Sequence, residues 1–212
     1  MTESVLETKT KKRNPARWDA LRLALDDVAR PLGSTAIVPQ RIDVDKIIDG
    51  LYLGCLNAAY NSDWLTRIGI THVVSAVVQK PKFHSDAPLM EALHIPVVDQ
   101  YSENIYQHFE TTSTWIQTAI NKGGRVLVHC HAGVSRSSTL VCAYLMVTQK
   151  MSAEQALAQL REKRHHANPN GGFYKQLEAW QIRNDLIVMF GGCPESDDRI
   201  VNAILACLCK KD

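Results

Sequence analysis

The sequence predicts an α/β domain with a central, mostly parallel twisted sheet that is flanked by helices. Two observations support this prediction. Runs rich in β-branched and apolar residues, at 71–78 and 125–129, are typical of strands buried on both faces. Segments with apolar residues at helical spacing alternate with such runs, and this alternation is typical of a parallel sheet.

The elements follow one another along the chain. Residues 47–53 predict a strand pair broken by the turn dipeptide Asp49-Gly50. Asn57 is a candidate cap for a short helix that ends at Gly69. Ser152 and Gln155 form a capping box that opens another helix. Further strands are predicted at 71–78, 93–98 and 125–129, and helices at 104–121, 137–149, 152–163 and 171–189.

The chain has 212 residues, which suits one domain with extensions. We predict a polar tail and an amphipathic helix within 1–41, a main domain over 42–190, and an appendage with a possible helix over 191–212. The first extra helix, at 16–30, either packs on the domain or serves a partner, and packing is the preferred interpretation. The second, at 197–208, docks on the domain or on a second subunit, so a monomer or weak dimer is expected.

Composition excludes several classes of function. The formal net charge is +2, which is close to neutral, so the composition does not indicate a nucleic-acid partner. The N-terminus lacks the apolar region of a signal peptide, and no apolar stretch approaches the roughly 20 residues of a membrane span. Six cysteines without a CxxC pair indicate free thiols, including Cys207 and Cys209, for which acylation or a dimer bridge is the alternative. We therefore expect a cytoplasmic or nuclear protein, and the basic run at 9–13 is either a nuclear signal or a solvated tail.

One segment carries a specific chemical pattern. A buried strand ends at Cys130, five residues follow, and Arg136 and Ser137 then open a helix. A loop at a helix N-terminus directs backbone N–H groups at one point and so forms an anion site. Small residues let such a loop curl around a phosphate-sized group. The loop residues predicted to bind phosphate are His131, Ala132, Gly133, Val134, Ser135 and Arg136.

The side chains of this segment suit nucleophilic displacement at phosphorus. The field that binds an anion also favours the thiolate of Cys130, the predicted nucleophile. Arg136 offers a planar fork of donors for two phosphate oxygens. Ser137 is placed to donate its hydroxyl to the sulfur and ease its departure. His129 is expected to orient the loop and not to accept the reacting proton.

A leaving oxygen also needs a proton. Asp99 follows the strand predicted at 93–98, at the edge of the sheet where open α/β sheets bind ligands. We predict that Asp99 is the general acid and then activates water. Glu103 and Asp86 are the rival candidates, and a plain turn residue is the alternative interpretation of Asp99.

These residues resemble the signature of the cysteine-based protein phosphatases, His-Cys-x5-Arg-Ser. The segment 42–189 resembles a dual-specificity phosphatase domain, and it looks like a small atypical member. Five segments in order carry the resemblance: 47–54, 95–99, the signature at 129–137, its interior at 132–137, and 169–177. The resemblance implies a protein tyrosine phosphatase-like fold with extra terminal helices, and it implies that Asn170 supports the phosphate loop.

The implied activity is hydrolysis of phosphotyrosine and of phosphoserine or phosphothreonine in proteins, without metal or cofactor. The implied partner is a phosphoprotein substrate, and a protein kinase is a further candidate. A phosphatase for a phosphoinositide, an inositol pyrophosphate or a phosphoglucan is the alternative. Branches that act on phosphoinositides often carry a lysine inside the loop, whereas the interior of this loop has none. A phosphoprotein-binding module is the third hypothesis, but it requires a damaged site. The pair His165-His166 resembles a metal site only superficially, and a solvated helix end is preferred.

Overall fold

The computed structural model describes residues 42–82 and 90–190, with the side chains of 186–190 excluded. Its strands form one sheet in the order β1-β2-β5-β3-β4. The outer strand β1 is antiparallel to β2, and all other neighbours are parallel. The predicted mostly parallel sheet is therefore confirmed. The strands are β1 (Val44–Ile48), β2 (Leu51–Gly54), β3 (His72–Ala76), β4 (Glu91–Ile95) and β5 (Val126–His129).

The described helices lie between β2 and β3, between β4 and β5, and after β5. A 3₁₀ turn, Tyr106–His108, directly precedes the third α-helix. None of the described helices is long and apolar enough to cross a membrane. The α-helices are α1 (Leu56–Ala59), α2 (Ser62–Ile68), α3 (Phe109–Asn121), α4 (Arg136–Gln149), α5 (Ala153–Lys163) and α6 (Gly171–Phe190).

The two faces of the sheet have separate cores because successive strand residues point to opposite sides. Val126 and Val128 of β5 belong to the larger cluster, which includes residues of α3, α4, α5 and α6. Leu127 between them belongs to a smaller cluster with Trp64 and Leu65 of α2. Strand β5 is thus buried on both faces, as its continuous apolar run predicts.

Most local predictions are confirmed. Gly50 lies between β1 and β2 at φ +77°, a conformation in which a side chain is strained. Ser152 accepts from the backbone N–H of Gln155, whose side chain accepts from the backbone of Ser152, so the capping box is present. The helix predicted at 104–121 begins instead as the 3₁₀ turn.

The predicted Asn57 cap is wrong. Asn57 lies inside the four-residue helix α1, and Asn61 caps α2 by accepting from the backbone N–H of Trp64 at 2.8 Å. The strand predicted at 93–98 lies earlier, because Pro96 after β4 has no N–H for the ladder. The terminal helices predicted at 16–30 and 197–208, and Asp86, lie outside the described residues. The domain limits at 42 and 190 stay predictions.

Candidate active site

Strand β5, at the centre of the sheet, places Cys130 at the edge where the parallel strands have their carboxyl ends. β5 lies between β2 and β3 and ends at His129, and α4 begins at Arg136. The side chain of Cys130 is buried at 1% exposure. Its sulfur accepts hydrogen bonds from the backbone N–H of Gly133 at 3.2 Å and from the Ser137 hydroxyl at 3.1 Å. Both bonds place hydrogen-bond donors against the sulfur.

The phosphate loop, residues 130–136, has its carbonyl groups bound on its outer side. A planar trans peptide points its N–H away from its C=O. The N–H groups that follow these carbonyls therefore face the inside of the loop, above the sulfur, and form a concave anion site. The outer donors are the Leu56 N–H to His131 at 3.0 Å, Arg164 to Ala132 at 3.3 Å and to Gly133 at 2.7 Å, the Asn168 N–H to Val134 at 2.8 Å, and the Thr139 N–H to Ser135 at 2.9 Å.

Gly133 is required by space as well as by conformation. Its φ is +68°, and a Cβ here would lie 2.7 Å from the carbonyl oxygen of Gly54 and 2.6 Å from Nη2 of Arg164. Any larger residue would therefore push the loop away from β2. The small residue in the predicted loop pattern thus has a direct steric reason.

Arg164 is the functional residue that the sequence reasoning missed. Its side chain is fully buried behind the loop, and it pairs with Asp43 at 2.9 Å and with Asp45 at 2.7 Å. Burial lowers the pKa of Arg164, but the hydrogen bonds and charges of the two carboxylates outweigh burial and raise the pKa overall. A guanidinium that stays charged can thus donate to two loop carbonyls at once. In the sequence it is one of several basic residues near the end of α5, and only its partners in space distinguish it.

His129 holds the loop from beneath. Its ring is fully buried, with Nε2 2.8 Å from the Ser75 hydroxyl and Nδ1 3.1 Å from the carbonyl oxygen of Cys130. A bond to a carbonyl requires a proton on Nδ1, so Nε2 accepts from Ser75. Burial lowers the pKa of His129 to about 4. The ring is therefore neutral near pH 7 and hydrogen-bonds the backbone where the loop begins.

Arg136 and Asp99 meet at the mouth of the loop. Oδ2 of Asp99 lies 3.6 Å from Nε of Arg136, and Oδ1 accepts from the Ser135 hydroxyl at 2.7 Å. Nη1 of Arg136 lies 3.4 Å from the carbonyl oxygen of Val97. The Asp99 side chain is 36% exposed, so its carboxyl group is accessible to solvent while its position is held.

Asn170 joins the phosphate loop, Asp99 and helix α6. Its backbone N–H donates to Ser135 Oγ at 3.1 Å, and its Nδ2 donates to Asp99 Oδ1 at 2.9 Å. Its Oδ1 accepts from the Phe173 N–H at 2.9 Å, in the first turn of α6. This one side chain thus positions the carboxylate and begins the helix.

The rival Glu103 is engaged elsewhere. Its Oε2 accepts from the backbone N–H of Val98 at 3.3 Å, and its carbonyl accepts from Gln176 of α6 at 2.8 Å. Gln176 also accepts from the Tyr106 N–H at 2.8 Å. Glu103 therefore stabilises the segment that carries Asp99, whereas Asp99 itself faces the phosphate loop.

The remaining candidates fall outside this constellation. His131 is exposed on the loop and lines a cavity of about 510 Å³ beside it. The rings of His165 and His166 lie 5.0 Å apart, and the described part of the chain holds no cluster of three His, Cys, Asp or Glu suited to a metal ion. Cys142 is a free, buried thiol whose pKa burial raises to about 12, so it is unreactive near pH 7.

A buried cysteine beneath a ring of N–H groups, with an arginine and a carboxylate at its mouth, defines the class of cysteine-based phosphatases. Residues 51–183 match the family model of the dual specificity phosphatase catalytic domain. The chain therefore belongs to the dual specificity phosphatase family, as a small atypical member, and is a cysteine-based protein phosphatase.

Individual relatives agree with this assignment. The chain is 36% identical over 169 residues to dual specificity protein phosphatase 22-A of Danio rerio, covering 77% of this chain and 80% of the relative. It is 37% identical over 173 residues to human dual specificity protein phosphatase 22, covering 77% and 90%. Among solved structures, human DUSP28 superposes with a TM-score of 0.63 at 32% identity, covering 67% of this chain and 95% of that one.

Proposed function

We propose that the chain hydrolyses phosphotyrosine and phosphoserine or phosphothreonine in proteins through a phosphocysteine intermediate at Cys130. The residue roles rest on one observation. The carbonyl groups of the loop are hydrogen-bonded on its outer side, and the sulfur inside the loop accepts two hydrogen bonds. Such a ring binds a phosphoryl group and holds its phosphorus in front of the sulfur, which replaces a bimolecular encounter with a fixed geometry.

In the first step, the Cys130 thiolate attacks phosphorus and forms the S–P bond. The guanidinium of Arg136 binds equatorial oxygens and stabilises the charge that develops on them. The P–O bond to the substrate breaks, and Asp99 gives its proton to the departing side-chain oxygen. The dephosphorylated protein then leaves.

In the second step, the Asp99 carboxylate takes a proton from water, whose oxygen attacks the same phosphorus. The S–P bond breaks and inorganic phosphate is released. Because the Ser137 hydroxyl and the Gly133 N–H both donate to the sulfur, they stabilise the thiolate as it departs. Asp99 recovers the proton that it needs for the next cycle.

Protein substrates are favoured over the alternatives. The relatives above are named as protein phosphatases, and the loop between Cys130 and Arg136 contains no lysine. A purely binding role has less support, because Cys130, Arg136, Ser137 and Asp99 are all present in one constellation. A protein kinase partner, a monomer or weak dimer, and cytoplasmic or nuclear residence stay predictions.

The test compares the wild type with Cys130→Ser on matched phosphotyrosine and phosphothreonine peptides and a phosphoinositide, without added metal. Cys142→Ser is the matched control, since it makes the same substitution at a buried thiol on α4, away from the loop. We expect turnover of both peptides by the wild type and the control. We expect no turnover by Cys130→Ser, which should still bind the phosphopeptide because the ring of N–H groups survives.

Retained turnover by Cys130→Ser would refute the nucleophile assignment. Activity confined to the phosphoinositide would assign the enzyme to a non-protein substrate. Binding of phosphopeptides without turnover by the wild type would support a binding module instead.

A further inference from the structure

Helix α6 begins with two glycines, and the second of them has no room for a side chain. A Cβ on Gly172 would lie 1.9 Å from the carbonyl oxygen of Tyr101 and 2.7 Å from its carbonyl carbon. A Cβ on Gly171 would lie 3.4 Å from the Tyr101 ring, which is an ordinary contact. Gly172 is buried within the helix, where alanine adopts the same backbone conformation readily. Space alone therefore requires glycine at position 172.

The carbonyl that fills this space belongs to the segment that follows Asp99. We call residues 99–106 the acid segment. Gln176 lies about one turn after Gly172 on the same face of α6. Its Nε2 donates to the carbonyl oxygen of Glu103 at 2.8 Å, and its Oε1 accepts from the backbone N–H of Tyr106 at 2.8 Å. The acid segment thus lies directly on the first two turns of the helix, by a close backbone contact and by two hydrogen bonds.

A side chain at position 172 would displace the acid segment and not the helix. The helix is fixed because Phe173 and Leu177 are fully buried in the larger core. Residues 99–102 are all exposed, so less packing opposes their movement. Since a Cβ does not approach another atom below about 3.0 Å, the Tyr101 carbonyl would retreat by about 1 Å. The carboxyl group of Asp99, two residues before it, would shift as well.

We propose that Gly172 and Gln176 are positioning residues for proton transfer by Asp99. The missing side chain of Gly172 lets the acid segment lie close to α6, and Gln176 holds it there, so that the carboxyl group is aligned with the departing oxygen. This inference rests on the role of Asp99 in the proposed function and adds the residues that set its position. Because both residues act through Asp99, their effect depends on how much the departing oxygen needs a proton.

The test is a double-mutant cycle between Gly172→Ala and Asp99→Asn, with Gly171→Ala as the matched control. The control makes the same substitution one residue earlier, where the added methyl group fits. We would measure kcat/KM on phenyl phosphate, whose departing oxygen needs a proton, and on p-nitrophenyl phosphate, whose departing oxygen needs it far less. Inhibition by inorganic phosphate reports on the phosphate loop separately, and urea unfolding reports on stability.

We expect Gly172→Ala to lower kcat/KM on phenyl phosphate about 10- to 100-fold, as a misplacement of about 1 Å does. On p-nitrophenyl phosphate the loss should stay within about threefold, and phosphate inhibition should change by less than about twofold because the ring of N–H groups is not moved. Gly171→Ala should match the wild type throughout. The double variant should be no slower on phenyl phosphate than Asp99→Asn alone, because Gly172 acts only through that carboxyl group.

Equal losses on both esters in Gly172→Ala, or losses that multiply in the double variant, would overturn the inference and leave the proposed function intact. So would wild-type kinetics in a folded Gly172→Ala. If Gly172→Ala does not fold, Gln176→Met replaces it, since this change removes two hydrogen bonds and adds no clash. It should show the same selective loss at about 3- to 10-fold, and its absence would also overturn the inference. An unchanged rate on phenyl phosphate in Asp99→Asn would instead refute the acid role in the proposed function itself.

Discussion

Replacing the buried guanidinium behind the phosphate loop should damage stability and phosphate binding together. Arg164→Met keeps much of the hydrocarbon chain and removes the donors to Gly133 at 2.7 Å and to Ala132 at 3.3 Å. Both carbonyls then lose their charged partner in a site where the Arg164 side chain is fully buried. The two carboxylates Asp43 and Asp45 are 47% and 38% exposed, so water compensates them in part.

The expected magnitude follows from these contacts. Each unsatisfied carbonyl costs about 1–3 kcal/mol, and each partly exposed carboxylate adds at most about 1 kcal/mol. The sum is about 2–8 kcal/mol, a range that contains the roughly 3–5 kcal/mol usual for breaking a buried pair. The freed loop should also lose its alignment, and kcat/KM for a small aryl phosphate should fall about 10- to 100-fold.

The assay is urea unfolding followed by circular dichroism, together with inhibition by inorganic phosphate. Arg161→Met is the control near the same helix end, because Arg161 is exposed and its hydrogen bonds go to Ala167 at 2.9 Å and to Asn168 at 3.1 Å and not to a carbonyl of the loop. It should cost about 1 kcal/mol or less. If Arg164→Met is too unstable to study, Arg164→Lys retains the charge but not the fork and should weaken phosphate inhibition. Equal losses in Arg164→Met and Arg161→Met, or unchanged phosphate inhibition in a destabilised Arg164 variant, would refute the reasoning.

Two further predictions concern the acid and the support of the loop. Asp99→Asn should slow hydrolysis of phosphoserine, a poor leaving group, by about 10²–10⁴-fold, with a smaller effect on an aryl phosphate whose oxygen needs no proton. Glu103→Gln should change the ratio of the two rates little, and an unchanged phosphoserine rate in Asp99→Asn would move the acid role elsewhere. The pKa of His129 is about 4 in the fold against 6.5 for the free side chain. As the pH falls, the unfolded chain therefore binds the proton before the folded protein does. The contribution of the neutral ring to the free energy of unfolding is complete above pH 6.5. Stability should fall as pH drops from about 7 to about 5, by about 2 kcal/mol for this group, and urea unfolding of His129→Asn should lack that share of the fall. An identical pH dependence in both proteins would contradict the assignment of a neutral ring.

The sequence was informative where function depends on local order. The spacing of Cys130, Arg136 and Ser137 is the spacing of one strand end, one loop and one helix start, and the structure has these elements in that register. Turn and cap residues such as Asp49-Gly50 and Ser152 act within a few positions, so their patterns predict structure directly. The misplaced cap at Asn57 shows the limit of this logic, because several polar residues near a helix start satisfy the same rule.

The sequence by itself determined the class of the domain, the order of its elements and the residues of the phosphate loop, since periodicity and motif spacing are local properties of the chain. Only the tertiary structure decided which residues support that loop. Arg164 bonds Asp43 across 121 positions, and Asn170 reaches Asp99 across 71. Such partners are determined by how the strands and helices pack, and the sequence alone does not distinguish a buried arginine from one exposed to water.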